Sequence, residues 1–213
     1  MKKTIILAVG LCMALFTQAQ SEKYMAAMKK SMALLDSAKT PDDLQNAANN
    51  FERIANAEKE QWQPYYHAAY ALVMKSFYNK DKSEIDGFCD KADEFVAMAE
   101  SLSPNNSEIT TLKSLVLSAR MTVDNSRYMT MGPKSGKLLQ EALTQQPTDN
   151  PRALMQMAQN KYYTPPAFGG GKEAGIDMLK KSVAAFDTFK PATEVDPNWG
   201  KAYAVGLLSE WTK

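Results

Sequence analysis

The chain has 213 residues and carries a single histidine, His67, and two cysteines, Cys12 and Cys89. Chemistry that needs an imidazole or a thiol would have to be built around these three. A structural or catalytic zinc site needs several nitrogen or sulfur ligands at workable spacing, and no second histidine stands near His67. Its neighbours Tyr65, Tyr66 and Tyr70 surround it with rings instead, so it reads as a packed or hydrogen-bonded helix histidine. Cys89 lies between Phe88 and Asp90 in an acid-rich segment. Such surroundings oppose a thiolate, and Cys89 reads as a small core residue. A serine hydrolase would place its serine in a sharp strand-to-helix turn, a context that is missing here. Glu84 with Asp86, and Asp90 with Asp93 and Glu94, offer carboxylates that could act as acid and base, but surface helices carry such acids routinely.

Two glycine-rich stretches invite comparison with anion sites. Gly132-Pro133-Lys134-Ser135-Gly136-Lys137 has three residues between its glycines and is followed by Leu138. A phosphate-binding loop needs four, then Ser or Thr after its lysine, with a strand before it. The segment is read as a helix-start turn. Gly169-Gly170-Gly171 precedes a helix whose exposed amides could hold an anion, and is read as a flexible connector. No catalytic, metal-binding or cofactor-binding set emerges, and the expectation is a protein without enzymatic activity or cofactor.

The elements that would position these residues are helical throughout. Met25, Met28, Met32 and Leu35 recur at three- and four-residue steps, stacking on one side of a helix. Thr40-Pro41-Asp42-Asp43 then supplies a capping hydroxyl, a proline suited to the first turn and acids at the positive helix end, ahead of the stripe Leu44, Ala48, Phe51 and Ala55. Pro64 opens a third helix through Tyr66, Ala69, Tyr70, Val73 and Phe77. A fourth carries Phe88, Ala92, Phe95, Ala99 and Leu102, and a fifth Ile109, Leu112, Val116, Ala119 and Val123. Further stripes run through Leu138, Leu139 and Ala142, through Leu154, Met157 and Ala158, and through Ile176, Leu179, Val183 and Phe186. Tyr203, Leu207 and Trp211 mark a closing helix, 201–213. Alternating strand patterns between turn dipeptides are missing.

The N-terminal end reads as a secretory signal: Lys2 and Lys3 precede an apolar stretch from Thr4 to Phe16, and Thr17 and Ala19 are the small residues that cleavage requires. The predicted cut follows Ala19, leaving 1–19 as signal peptide and a mature chain with no later run long enough to cross a bilayer. Cleavage removes two lysines and no acid, taking the formal net charge from +1 to −1. Nucleic acid is therefore a poor partner, because it demands a clustered positive surface. A periplasmic or secreted location is expected. One remaining thiol cannot make an intramolecular disulfide, so packing must supply stability.

A longer period underlies these helices. Ala92, Val96, Ala99 and Pro104 stand at offsets that Ser135, Leu139, Ala142 and Pro147 repeat, and that Ala185, Phe189, Ala192 and Pro197 repeat again around an intervening Pro191. Small residues let antiparallel helices approach, the larger one fills the gap between hairpins, and proline stops the helix. The pattern resembles the second helix of a tetratricopeptide (TPR) repeat. The aromatic-rich stretch Trp62 to Tyr70 agrees with a first helix, and Asp196-Pro197-Asn198-Trp199 is similar to the junction between such repeats. The resemblance implies an all-α, TPR-like solenoid over 20–213, with about four antiparallel hairpins and a C-terminal capping helix. Pro104 to Pro147 spans 43 residues, against a family period near 34, so the repeats are longer than standard.

In such stacks the first helices line the concave face. That placement predicts a partner-binding surface of Tyr65, Tyr66, Tyr70, Tyr162, Tyr163 and Phe168, tyrosine combining an apolar ring with a polar tip; core packing is the equal alternative for the same rings. The expected role is an envelope scaffold or adaptor for a protein or peptide partner. The segment Thr164-Pro165-Pro166-Ala167-Phe168-Gly169-Gly170-Gly171-Lys172 also resembles helical-repeat proteins associated with periplasmic TRAP-type transporters, which implies the alternative of a carrier for a small apolar ligand.

Overall fold

A computed structural model describes residues 22–213; the predicted signal and its cut lie outside the described residues. The chain folds into α1 (22–37), α2 (Pro41–Ala57), α3 (Trp62–Tyr78), α4 (Ile85–Leu102), α5 (Ser107–Met121), α6 (Tyr128–Ala142), α7 (Pro151–Tyr163), α8 (Lys172–Thr188) and α9 (Lys201–Trp211). Among the described residues no strand forms; extended pairing is confined to one bridge between Asn106 and Gln146. From α2 onward each helix packs on its successor, α3 also touches α5, as α5 touches α7, and α1 shares the main core with α2 through Met28, Met32, Ala48 and Phe51. The result is a TPR-like stack: α1/α2, α3/α4, α5/α6 and α7/α8 form hairpins, their first helices make the inner layer, and α9 closes the end.

Local chemistry sets the helix starts. Thr40 accepts from the Asp43 amide while Asp43 accepts from the Thr40 amide at 3.0 Å, a reciprocal capping box. The longer repeat is visible in the turns. Asn105 and Asp149 both take left-handed backbone, φ 57° and 55°, a region that Asn and Asp tolerate better than other side-chain-bearing residues. Each precedes an asparagine, Asn106 or Asn150, whose side chain caps the next helix. The two turns stack in register: Asn150 Nδ2 donates to Ser107 Oγ at 3.1 Å, and Gln156 Nε2 to the Thr111 carbonyl at 3.3 Å. The capping asparagines stand 44 positions apart, one more than Pro104 and Pro147, and mark a true structural repeat.

Ala92, Val96 and Ala99, and their counterparts Ser135, Leu139 and Ala142, are all buried. The third apparent copy fails, because α8 ends at Thr188 and Ala192 is exposed in the following loop. The main core joins α1 to α5 through Met28, Phe51, Tyr66, Val73, Ile109 and Leu112, with alanines such as Ala47, Ala68 and Ala99 allowing close approach. Each large apolar side chain so buried contributes about 1.5–3 kcal/mol. A second core, with Met155, Leu179, Phe186 and Ala204, binds α9 to α7 and α8.

α3 begins at Trp62, two residues ahead of the predicted start, and is not amphipathic as its stripe suggests. Tyr65, Tyr66, His67, Ala68, Ala69, Ala71, Leu72 and Val73 are all buried, because α3 is the central rod, packed on α2, α4 and α5; its last turn, with Phe77 of the predicted stripe, is exposed. Gly132 to Lys137 is not a helix-start turn: it lies inside α6, with Pro133 in the helix. The helical backbone there offers no phosphate-cradling loop.

Candidate functional site

The concave face is occupied by the chain itself. Residues 189–200, which connect α8 to α9, run across the inner layer and place Val195 within the main core, 2% exposed. His67 Nε2 lies 2.9 Å from the Val195 carbonyl, and Gln63 Nε2 donates to Asp196 Oδ1 at 3.0 Å. The Trp199 indole N–H donates to Tyr66 Oη at 3.1 Å, and its ring stacks on Tyr70 with centroids 4.5 Å apart and planes 16° from parallel. The expected aromatic surface on α3 is therefore enclosed. Tyr66 is fully buried, and burial holds its phenol far above the usual range. Tyr65 points the other way, its hydroxyl donating to the Ala55 carbonyl at 3.3 Å, and Tyr70 lies beneath Trp199.

His67 sits in this interior as a hydrogen-bonded core residue. It stacks on Phe51 at 5.0 Å, and burial pushes its pKa down to about 4, so the neutral ring donates Nε2–H to Val195. Arg152, which sequence reading passed over, anchors the same connector. Its guanidinium makes two bonds to Glu108, 2.7 Å and 2.6 Å, and donates a third to the Trp199 carbonyl at 3.0 Å. The rings of Phe186, Phe189 and Trp199 surround it. Burying a charge this deeply is tolerable because every direction is answered by a carboxylate, a carbonyl or an aromatic face.

Of the acids considered for catalysis, Asp86, Asp90, Asp93 and Glu94 are engaged in ion pairs, and Glu84 accepts from Asn79 Nδ2 at 2.8 Å. Arg120 Nη2 donates to Asp90 at 2.7 Å and Asp93 at 2.8 Å, while Arg127 grips Asp86 through two bonds of 2.7 Å and 2.8 Å. The Arg127 partnership holds the Asp86 carboxyl below its ordinary range. Cys89 is buried, and burial raises its thiol pKa to about 11.

Tyr163, Phe168 and Tyr203 are exposed in the C-terminal third, as Phe77 and Tyr78 are at the end of α3 and Tyr128 at the start of α6. Tyr162 lies flat against Trp211, centroids 3.8 Å apart and planes 13° from parallel, and Tyr163 meets the edge of the same indole at 6.3 Å. This stack forms a base from which Tyr163 projects, 74% exposed, with Tyr203 also exposed on α9. The phenol of Tyr203 is shifted up by partial burial and then by Tyr163 and Glu210, which places Tyr203 and Tyr163 in one neighbourhood. Gly206, one turn along α9 from Tyr203, has open space where a side chain would stand.

The loop after α7 presents the remaining ring. Far from a flexible connector, it is pinned: the Gly171 amide donates to the Lys161 carbonyl at 2.9 Å and the Gly169 amide to the Pro166 carbonyl at 3.0 Å. Gly169 and Gly171 take φ values of 80° and 120°, and a Cβ on Gly170 would collide with the Thr164 carbonyl oxygen. Glycine is required at all three positions, and the rigid turn they make holds Phe168 out, 81% exposed. Of the six aromatics expected to share a surface, Tyr162, Tyr163 and Phe168 belong to this end, Tyr162 and Tyr163 against Trp211 and Phe168 exposed on the loop after α7. Tyr65, Tyr66 and Tyr70 do not.

Lys161 and Lys172 bracket the loop in sequence, while Arg127 and Arg152 of the same stretch are committed to Asp86 and Glu108. Asn160 Nδ2 donates to Ser135 Oγ at 3.1 Å, which ties the last turn of α7 to the middle of α6. A shallow polar hollow of about 470 Å³ along α2, lined by Asn46, Asn49, Asn50, Glu52 and Arg53, offers amides and charges without an apolar face.

Fold and turn geometry define the class of protein: a helical-repeat protein of the TPR type. In agreement, the chain is similar to the structure of a thermophilic TPR protein from Thermus thermophilus, with a TM-score of 0.50, 16% identity, and coverage of 92% of this chain and 94% of that one. It is more similar to the HusA haemophore from Porphyromonas gingivalis, with a TM-score of 0.80, 36% identity, and coverage of 88% of this chain and 92% of that one. The chain belongs to the HusA haemophore family. No protein-family model matches it, and neither does any curated protein sequence.

Proposed function

We propose that this protein is an extracytoplasmic, non-catalytic carrier of haem or a haem-like planar tetrapyrrole, bound at the C-terminal aromatic surface. The observation that carries the reading is Tyr163 exposed on the Tyr162–Trp211 base, with Phe168 exposed on the loop after α7 and Tyr203 on α9, in a chain 36% identical to a haemophore. A tetrapyrrole is a flat apolar disc with carboxylates at one edge. Exposed rings on a rigid base match the disc through stacking, and Lys161 and Lys172, which bracket the Phe168 loop in sequence, match the carboxylates.

The site reading uses neither His67 nor Cys89. His67 is engaged under the 189–200 connector, and Cys89 is buried with a raised thiol pKa, so neither side chain is presented to a ligand at this surface. The filled concave face favours carriage over the adaptor role, since the inner surface where a peptide partner would lie is already covered.

Titration of the purified protein with haem, followed by the Soret band, tests the proposal. The double substitution Tyr163→Ala/Tyr203→Ala should weaken binding about tenfold, two stacking contacts being worth about 0.5–1.5 kcal/mol each, with the helical signal unchanged because both side chains are exposed. Undiminished affinity in a folded double variant would rule this surface out.

A further inference from the structure

The outer layer carries a cleft that ligand binding at the C-terminal rings leaves unused. α2 and α4, the second helices of successive hairpins, flank α3, and between them opens a cleft of about 110 Å³ floored by Ala48 of α2, Leu72 of α3 and Phe95 of α4. It runs into the amide-lined hollow on α2, the two sharing Asn49 and Glu52. The polar groups along this track are held in place. Lys75 Nζ sits 4.0 Å above the Phe88 ring and donates to Gln45 Oε1 at 2.8 Å, and Gln45 Nε2 donates in turn to Asn49 Oδ1 at 2.8 Å. With its oxygen so engaged, Asn49 directs its Nδ2 donors away from Gln45. Further along α2, Arg53 Nη2 donates to Asn50 Oδ1. Asparagine is a poor helix former because its side chain competes for backbone bonds, yet Asn46, Asn49 and Asn50 stand within five positions of one helix.

The charges along the track nearly cancel. Lys75, Lys91 and Arg53 stand against Glu52 and Glu94, and Lys91 Nζ is shared by the two carboxylates at 3.6 Å and 2.9 Å, so neither an anion nor a cation meets a field of the opposite sign. A hydroxyl both donates and accepts, as a carboxamide does, and the amides of Asn46, Asn49 and Asn50 with the Glu52 carboxylate supply both kinds of partner, while Ala48 and Leu72 give the C–H face of a sugar ring an apolar floor. From Gln45 to Arg53 the track covers about 12 Å of helix, longer than a single pyranose. We infer that the α2–α4 cleft and its adjoining hollow bind a neutral oligosaccharide, with Asn49 and Glu52 at the centre of the site and Lys75, through Gln45, as the residue that positions Asn49. This site lies on the outer helices, away from the C-terminal aromatic surface, and does not depend on the haem reading.

The test is an NMR titration of the isotope-labelled full chain with maltotriose, cellotriose and chitotriose, read on the side-chain amide signals of Gln45, Asn46, Asn49 and Asn50. At least one trisaccharide should move these signals saturably, with a dissociation constant on the order of 1 mM, and glucose should bind about tenfold more weakly because it spans only part of the track. Asn49→Leu, at an exposed position of α2 and with a good helix former, should weaken binding about tenfold, as the loss of one or two hydrogen bonds does. Lys75→Met, which releases Gln45 without touching the ligand, should weaken it about threefold. Amide signals unmoved by all three trisaccharides, glucose binding as tightly as any of them, tighter binding of inorganic phosphate, or affinity unchanged in folded Asn49→Leu would each overturn the inference.

Discussion

His67 shows how burial converts a reactive residue into a structural one. Its pKa of about 4 lies below the ordinary value of 6.5, chiefly because the charged ring would lose its water; the neighbouring Asp196 favours the charge and Arg152 opposes it. Between those two values the unfolded chain takes up a proton that the folded chain refuses. Stability from this residue is therefore fully present above pH 6.5 and is lost as pH falls towards 4, by at most about 3 kcal/mol at 1.36 kcal/mol per unit. Urea denaturation between pH 7 and 4 should show this slope, and His67→Gln should flatten it. Arg152 makes the complementary case. Arg152→Met would leave the Glu108 carboxylate buried and unpaired and should cost about 3–5 kcal/mol, whereas Arg152→Met/Glu108→Leu should recover most of the loss; urea midpoints of the two variants measure the difference. His67 was legible in sequence as a packed residue because its neighbours are aromatic. Arg152 was not, since an arginine in the first turn of a helix ordinarily faces water, and its partners Glu108 and Trp199 are 44 and 47 positions away.

At the scale of elements, periodicity exposed those helices that bury one side. α2 and α4 each turn one stripe inward, and the predicted Leu44, Ala48, Phe51 and Ala55, like Ala92, Phe95 and Ala99, are buried. α3 defeated the same reading because a rod packed on three neighbours has no single stripe. The connector was harder still. Pro191, Pro197 and Asn198 announce a turn, and nothing local shows that the turn lies in a groove; the clue was a lone Val195 and Trp199 in otherwise polar sequence. Half of the aromatic surface was visible from Tyr162, Tyr163 and Phe168 flanking a proline- and glycine-rich loop. Tyr203 and Trp211 were read as packing residues of the closing helix, because four-residue steps mark a stripe without saying which end of it reaches solvent.

Over the whole molecule, the stack of hairpins supplies rigidity, and the proposed ligand surface lies where the end of α7 stacks on α9. Asn105 with Asn106 and Asp149 with Asn150 repeat one turn device, so the second half of the chain is set by the geometry of the first. No helix among the described residues is long and apolar enough to cross a membrane. If the N-terminal segment directs export, protein recovered from the periplasm or medium should begin at Gln20, and N-terminal sequencing that returns Met1 would contradict cleavage after Ala19.

The claim on which the functional reading rests is that a planar tetrapyrrole lies on the C-terminal rings. Hydrogen exchange with and without saturating haem tests it most directly. Protection should concentrate in residues 161–172 and 201–211, leaving α1 to α4 unchanged; protection centred on α1 to α4, or none at all with ligand bound, would contradict it.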